Sequence, residues 1–254
     1  MREIAPSIPH QLRLDGRRIL ITGAAGGIGA ATARVCFELG ATVLLTDTSS
    51  CEVLAAELTR DGKPASWTQT DVTNPLTPKQ LAEWCGELDA LILSHGIYKA
   101  IDWDSEDWDE QTSIAFEVNL RASMRLAREF ANQMARKGNG RIVFVGSVAA
   151  LTGGTFPGVG PHYAISKGGI HTLVRYLAAR YTPSGLLING VAPGTIDTPM
   201  LKDINLEQAI ARQPLKRAAK PEEVAWPIAF LCSQGASFIS GAILDVNGGN
   251  YMRP

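Results

Sequence analysis

The sequence predicts an α/β fold: one domain built on a doubly wound parallel β-sheet with helices on both faces. Three observations predict it. Strand-length apolar runs alternate with helix-period segments along the chain, the order of βαβ units. The strand runs are continuously apolar, as expected where both sheet faces are covered. A glycine-rich turn joins the first strand to the first helix, at the edge where open α/β sheets bind ligands.

The elements follow in order. After a polar tail over residues 1–14, Arg18–Thr22 reads as a strand and Gly26–Leu39 as a helix stopped by Gly40. Strand Thr42–Thr46, helix Cys51–Arg60 and strand Ala65–Thr70 come next, then helix Leu76–Cys85 and strand Ala90–Ser94. A long helix is expected from Ser105 to Lys137, entered through the acidic run Asp102–Glu110, which suits the positive end of a helix dipole. Strand Arg141–Val145, helix His162–Tyr181, strand Leu186–Val191, helix Pro221–Cys232 and strand Ala242–Val246 complete the pattern. Pro221 followed by Glu222 and Glu223 is a helix-start signal.

Composition excludes several function classes. The 254 residues carry 24 basic and 25 acidic side chains, which gives no broad basic field for nucleic acid. The start, MREIAPSIPHQLRL, has no apolar signal or anchor region. The uncharged runs Ile142–Ser166 and Ala225–Leu244 are interrupted by Gly, Ser and Pro, so they read as buried core rather than membrane spans. Cys36, Cys51, Cys85 and Cys232 lack metal-ligand spacing and read as free thiols of a cytoplasmic protein. Charge is uneven: residues 1–137 hold 33 of the 49 charged side chains, and the remainder holds 16 of the 25 glycines. The second part therefore has few charges for a solvated surface and must bury or pair its faces.

The glycine loop Thr22–Gly29 carries the first chemistry. Gly23 suits a tight turn, Gly27 a close approach of backbone amides to a pyrophosphate, and Gly29 close helix–strand packing. Asp47 ends the second strand, 18 residues beyond Gly29. A carboxylate there accepts both ribose hydroxyls of an adenosine and repels a 2′-phosphate, so the pattern favours NAD over NADP.

A second constellation lies downstream. Tyr163 and Lys167 stand four residues apart on one helix face. A free phenol titrates near ~10. An adjacent ammonium and a nicotinamide cation would draw it toward the working range of a base. Ser147 ends strand Arg141–Val145, and Asn119 interrupts an apolar helical stretch, where a buried amide must have partners.

On these motifs the chain resembles the short-chain dehydrogenase/reductase family over roughly residues 12–250: TGAAGGIG at Thr22–Gly29, Asp71-Val72, Asn119, Ser147, Tyr163–Lys167, Pro193-Gly194 and Asp245–Gly249. The resemblance implies a Rossmann-type fold and an NAD-dependent oxidoreductase acting on a small secondary alcohol or ketone. Gly23, Gly27, Ile28 and Gly29 would form the phosphate loop, and Asp71 and Val72 would meet the adenine. Ser94 and Gly96 would serve the adenosine ribose, while Pro193, Gly194, Ile196 and Thr198 would cover the nicotinamide. Ser147 would orient the substrate oxygen and Tyr163 would exchange its proton while hydride passes to the cofactor. Lys167 would hold the nicotinamide ribose and depress the phenol, and Asn119 would support a water leading protons outward. The family commonly pairs helices such as those containing Met124–Met134 and Leu173–Tyr181 into dimers and tetramers, so a homo-oligomer, a homotetramer foremost, is expected.

Two departures from the family pattern stand out. Where the family has Asn-Asn-Ala-Gly, this chain has Leu93-Ser94-His95-Gly96, and His95 reads as a tolerated side chain beside the cofactor rather than a catalytic one. The interval from Ser147 to Tyr163 is also longer than usual. Its glycine-rich stretch Leu151–His162, with Phe156 and Val159 near the tip, is expected to line the substrate pocket. Residues Thr195–Ala219 fall where the family keeps a mobile lid; Met200, Leu201, Ile204 and Leu206 give it an apolar side, with Lys202 and Asp203 charged. The substrate is left open among a sugar or polyol, a 3-oxoacyl thioester, a cyclic ketone and a steroid. A catalytically idle NAD(H)-binding regulator on the same fold is the reading from another class.

Overall fold

The computed structural model describes residues 8–154, 159–201, 206–211 and 213–253. Seven strands form one parallel sheet: β1 Arg18–Thr22, β2 Thr42–Asp47, β3 Ser66–Gln69, β4 Ala90–Leu93, β5 Gly140–Val145, β6 Leu186–Pro193 and β7 Ile243–Val246. Their order is β3-β2-β1-β4-β5-β6-β7. The chain therefore winds outward from β1 in one direction, then returns to β4 on its other side. The carboxyl ends of β1 and β4 part at this switch point, which opens a crevice there.

Alternation along each strand splits the core into two layers. Ile19 and Ile21 face one side of β1 with Val43 and Leu45 of β2; Leu20 and Leu44 face the other. The first layer is closed by α1 (Gly27–Glu38), α2 (Glu52–Glu57) and α9 (Pro221–Cys232). The second is closed by α3 (Thr77–Cys85), α5 (Ala122–Lys137) and α7 (Pro161–Tyr181). Leu126, Phe130 and Val174 are wholly buried there, and each such side chain contributes roughly 1.5–3 kcal/mol of burial free energy.

The differences from the sequence expectation sit at helix ends and in connections. The long helix begins at Trp108 as α4 (Trp108–Phe116), because turns set by Asp102, Ser105 and Asp107 hold the preceding residues. It then passes through a π-helical turn, Glu117–Arg121, before α5. That wider turn carries Asn119, and such insertions mark functional sites more often than plain helix does. Helix α2 stops at Glu57, short of Arg60, which bridges back to Lys63. Two short helices go beyond the sequence expectation, α6 (Ala149–Thr152) after β5 and α8 (Leu206–Ala211) in the lid segment. Among the described residues no helix is long and apolar enough to cross a membrane.

Candidate active site

The crevice holds two adjoining spaces. The larger, about 1270 Å³, runs over the glycine loop, Asp47, Asp71, Val72 and the strand-end turn Ser94–Tyr98. The smaller, about 150 Å³, lies beyond it against Ser147, Tyr163 and Lys167. Ser94, Gly96, Tyr98, Ile28, Thr198 and Met200 border both.

On the first side the geometry is made of backbone. Gly23 has φ +68°, and a Cβ there would stand 2.6 Å from the His95 amide nitrogen. Only glycine allows β1 and the β4 turn to approach so closely. A Cβ on Gly29 would overlap the Gly23 carbonyl. The place beside Gly27 is filled by the Thr198 methyl, 2.5 Å from where a Cβ would be. The glycine loop thus packs against the segment after β6 as well as facing the cleft. The Asp47 carboxylate accepts the Ala25 and Ser49 N–H groups, each at 3.0 Å, and so holds the loop from the tip of β2. Asp71 accepts the Thr73 N–H and hydroxyl at 2.8 and 2.7 Å, closing the turn that presents Val72 to the cleft.

The residues fit a nicotinamide dinucleotide on structural grounds. Helix α1 begins behind Gly26 with no side-chain cap, so its first N–H groups are available to phosphate oxygens. The buried Ser94 hydroxyl has no partner among the described residues and borders both spaces. An unsatisfied buried hydroxyl at such a junction is explained by a bound polar ligand.

The second side is made of side chains. Ser147 follows β5, its Oγ accepting the Ala149 N–H at 3.1 Å and hydrogen-bonding the Tyr163 phenol. Lys167, one helical turn beyond Tyr163, donates to the Val145 carbonyl at 2.9 Å and lies 5.9 Å from the phenol ring centre. Burial draws its ammonium down to about 8. Tyr163 moves upward from 10, because burial outweighs the Ser147 hydrogen bond. Lys167 keeps its charge while anchored on Val145, and in the protein alone burial is the larger influence on the phenol.

Asn119 lines neither space. It is buried behind them, receiving the Ile97 N–H at 2.8 Å and donating to the Ile97 carbonyl and Ser166 hydroxyl at 3.1 and 3.0 Å. Its amide has the partners the sequence demanded, and they fix the turn after β4 against α7. Pro193, Gly194, Ile196 and Thr198 all border the smaller space, with Gly194 backed closely onto Asn247. Every other predicted site residue borders one space or both: Gly23, Gly27, Gly29, Asp47, Asp71 and Val72 the larger, Ser147, Tyr163 and Lys167 the smaller.

His162 is buried and does not line the cavity; it hydrogen-bonds the Lys99 backbone. Val159 lines the cavity as expected, and so do Met200 and Leu201; Leu206 does not. Phe156, Lys202, Asp203 and Ile204 lie outside the described residues. Sequence reasoning missed Tyr98, whose ring stands edge-on to Tyr163 with centroids 5.2 Å apart and an interplanar angle of 89°. Its position on the strand-end turn after β4 was the available signal, since ligand-contacting residues gather there.

A parallel seven-stranded sheet, a capless helix start behind a glycine turn and a Ser-Tyr-Lys cluster with its serine and lysine buried define a nicotinamide-dependent oxidoreductase. Comparison with known proteins agrees. The family model described as Enoyl-(Acyl carrier protein) reductase matches residues 23–250, and the chain belongs to the short-chain dehydrogenases/reductases. It is 38% identical over 247 residues to cis-4-hydroxycyclohexanecarboxylate dehydrogenase of Sinomonas cyclohexanicum, covering 92% of this chain and 96% of that one. L-rhamnose 1-dehydrogenase (NAD(P)(+)) of a Sphingomonas species is 35% identical, covering 94% and 98%. A short-chain type dehydrogenase/reductase from Mycobacterium marinum superposes with TM-score 0.90 at 26% identity, covering 97% and 100%.

Proposed function

We propose that the protein is an NAD-dependent dehydrogenase/reductase of compact, largely apolar secondary alcohols and the matching ketones. One observation carries the reading: Ser147, the Tyr163 phenol and Lys167 meet at a small cavity whose other walls are mostly apolar, among them Val148, Val159, Ile196 and Leu201, with Tyr98, Thr195 and Gln208 as polar members. The relative acting on a hydroxycyclohexane carboxylate supports a ring-shaped substrate. A 3-oxoacyl thioester reductase is the second reading, supported by the Vibrio harveyi 3-oxoacyl-[acyl-carrier-protein] reductase at 34% identity over 251 residues.

When bound, the nicotinamide accepts or returns a hydride and brings positive charge beside the phenol. The chain does the rest. Ser147 donates to the substrate oxygen and fixes which face it presents. Tyr163 as phenolate takes the alcohol proton, or as phenol returns it to a ketone oxygen. Lys167, held by Val145, supplies a fixed cation to the ribose side of the site, and Asn119 positions the Gly96–Ile97 backbone beneath it. Asp47 supports NAD over NADP: its carboxylate stands where the adenosine ribose must lie. Among the described residues the only basic side chain bordering that cleft is Arg121, which is paired with Glu117 at 3.5 Å.

The same reading makes residues 1–254 one cofactor-binding domain with residues 195–219 as a lid. It places the enzyme in the cytoplasm as a homo-oligomer. The half-exposed or exposed Met124 on α5, with Ile165 and Tyr176 on α7, supports association through those helices. NADH absorbance over a panel of cyclohexanols, sugars, steroids and 3-hydroxyacyl thioesters, with NAD and NADP side by side, tests the function. Turnover confined to the thioesters would select the second reading. NAD binding with no turnover anywhere would leave an idle regulator. Elution at the monomer volume in gel filtration would remove the oligomer.

A further inference from the structure

We propose that His95 is a positioning residue of the active site. Through Ser123 it holds the π-helical turn that carries Asn119, and through Thr22 it ties that turn to the glycine loop. The imidazole is buried between β1 and α5, with Nδ1 2.6 Å from the Thr22 hydroxyl and Nε2 3.1 Å from the Ser123 hydroxyl.

Counting protons fixes the direction of the chain. The Ser123 hydroxyl has one proton and lies 3.0 Å from the Asn119 carbonyl, which can only accept. Ser123 therefore donates to Asn119 and accepts from His95 Nε2–H. Nδ1 is then bare and accepts the Thr22 proton, in preference to the more distant Ile92 carbonyl at 3.4 Å. The bonds run one way, from Thr22 through His95 and Ser123 to Asn119. That acceptor is the Asn119 backbone carbonyl; the side-chain amide of the same residue separately donates to Ser166, which donates to the Tyr163 carbonyl at 2.8 Å. The ring thus ties the cofactor turn to the main chain of the π-helical turn, and the Asn119 side chain ties that turn on to the helix of Tyr163 and Lys167.

The surroundings keep the ring in the form the chain needs. Burial, with the nearby Lys167 charge, holds His95 down to about 3. An imidazolium would have to donate from both nitrogens, turning Thr22 toward Ile92 and setting a second cation near Lys167. The main chain adds a second tie, since the His95 amide lies directly beneath Gly23. A ring present only to fill the core would need neither the Ser123 hydroxyl nor the Thr22 hydroxyl at its two nitrogens.

The catalytic part of this inference rests on the proposed dehydrogenase reading; the exchange and binding parts do not. The test compares full-length wild type with His95→Ala, His95→Gln, His95→Asn, Ser123→Ala and the His95→Ala/Ser123→Ala double variant. The readouts are amide hydrogen exchange by mass spectrometry, NADH affinity by fluorescence, and kcat and KM with NAD and cyclohexanol. In His95→Ala, exchange over residues 94–98 and 117–123 is expected to rise about tenfold while β2 and β3 stay unchanged. NADH affinity should fall about tenfold, and kcat about tenfold or more with KM within about threefold of wild type. Gln reaches Ser123 and should restore these values; the shorter Asn reaches only Thr22 and should not. Ser123→Ala should reproduce His95→Ala, and the double variant should add nothing. Exchange raised evenly across the sheet, additive single variants, or NADH affinity within about twofold of wild type in His95→Ala would overturn the proposal. If His95→Ala does not fold, Ser123→Ala and His95→Gln carry the same test. A wild type that binds NADH but oxidises no alcohol refutes the dehydrogenase reading and leaves exchange and NADH binding to decide His95.

Discussion

The two sides of the crevice are built from different materials. The side over β1 and β2 is a backbone surface: Gly23, Gly27 and Gly29 sit where a Cβ would strike His95, Thr198 or the Gly23 carbonyl, and α1 offers free N–H groups. The side over β5 and β6 is a side-chain surface, with Ser147, Tyr163 and Lys167 placed by hydrogen bonds to Ala149 and Val145. On the proposed function, the contrast follows from what each side would meet. Phosphates need many equivalent donors at short range, which glycine-rich backbone provides. Proton exchange with a variable substrate needs one phenol in one place, which packing and a few hydrogen bonds provide. The first design forbids atoms and the second requires them.

That difference can be broken most sharply at Tyr163. Tyr163→Phe removes a single oxygen and is expected to lower kcat by about 10²–10⁴-fold. NADH affinity, measured by fluorescence titration, should stay near wild type, because the other side of the crevice is untouched. The reverse experiment adds an atom to the backbone side. Gly29→Ala drives a methyl into the Gly23 carbonyl and should cost about 1–3 kcal/mol in urea denaturation, with NADH binding lost ahead of the overall fold. A finer cut is Asp47→Asn, which removes the anion and keeps one acceptor oxygen of the two that receive the Ala25 and Ser49 N–H groups. The NAD-to-NADP ratio of kcat/KM should fall about 10- to 100-fold, which corresponds to a lost repulsion of roughly 1.4–2.7 kcal/mol.

A pH-dependent effect concerns the histidines behind the site. Burial holds His95 at about 3 and His171 at about 4, against 6.5 when exposed. In the unfolded chain both take up protons as pH falls through 6.5, whereas the folded chain keeps His171 neutral until about 4. The unfolded state then binds more protons, so stability must fall as pH drops from 6.5 toward 4, by up to about 1.4 kcal/mol per pH unit per histidine. Urea midpoints at pH 7 and pH 5 should show the loss, and His171→Leu should flatten it. The His171→Leu variant would still position Ser147 only if the ring's packing on Gly146 is replaceable, since a Cβ on Gly146 would strike His171.

How far the sequence could be read follows the same division. The central strands were legible to within a residue or two because buried parallel strands are continuous apolar runs; the edge strand β3, Ser-Trp-Thr-Gln with no buried residue, was legible only from its place in the βαβ order. The glycine loop was legible because its constraint is local: turn, helix start and carboxylate lie within one βαβ unit. Ser147, Tyr163 and Lys167 were legible as a joint pattern. The π-helical turn at Glu117–Arg121 was not, because one inserted residue barely disturbs a 3.6-residue period over so long a helix. Tyr98 against Tyr163, Thr198 against Gly27 and the two hydroxyls that grip His95 all depend on distances between separate elements. His95 itself stood out as a departure, yet only three-dimensional placement gives its ring a task.

The contact between Thr198 and Gly27 bears on how the molecule comes into being. A ribosome delivers Gly27 early and Thr198 only after six of the seven strands, so the nucleotide seat stays unfinished through most of synthesis. Such a non-local closure is slow to form. Nucleotide present in the cell can then steady the finished chain by mass action but gives no foothold to its first half. A truncation ending before β6 should therefore gain nothing in protease resistance from added NADH, while the full chain should.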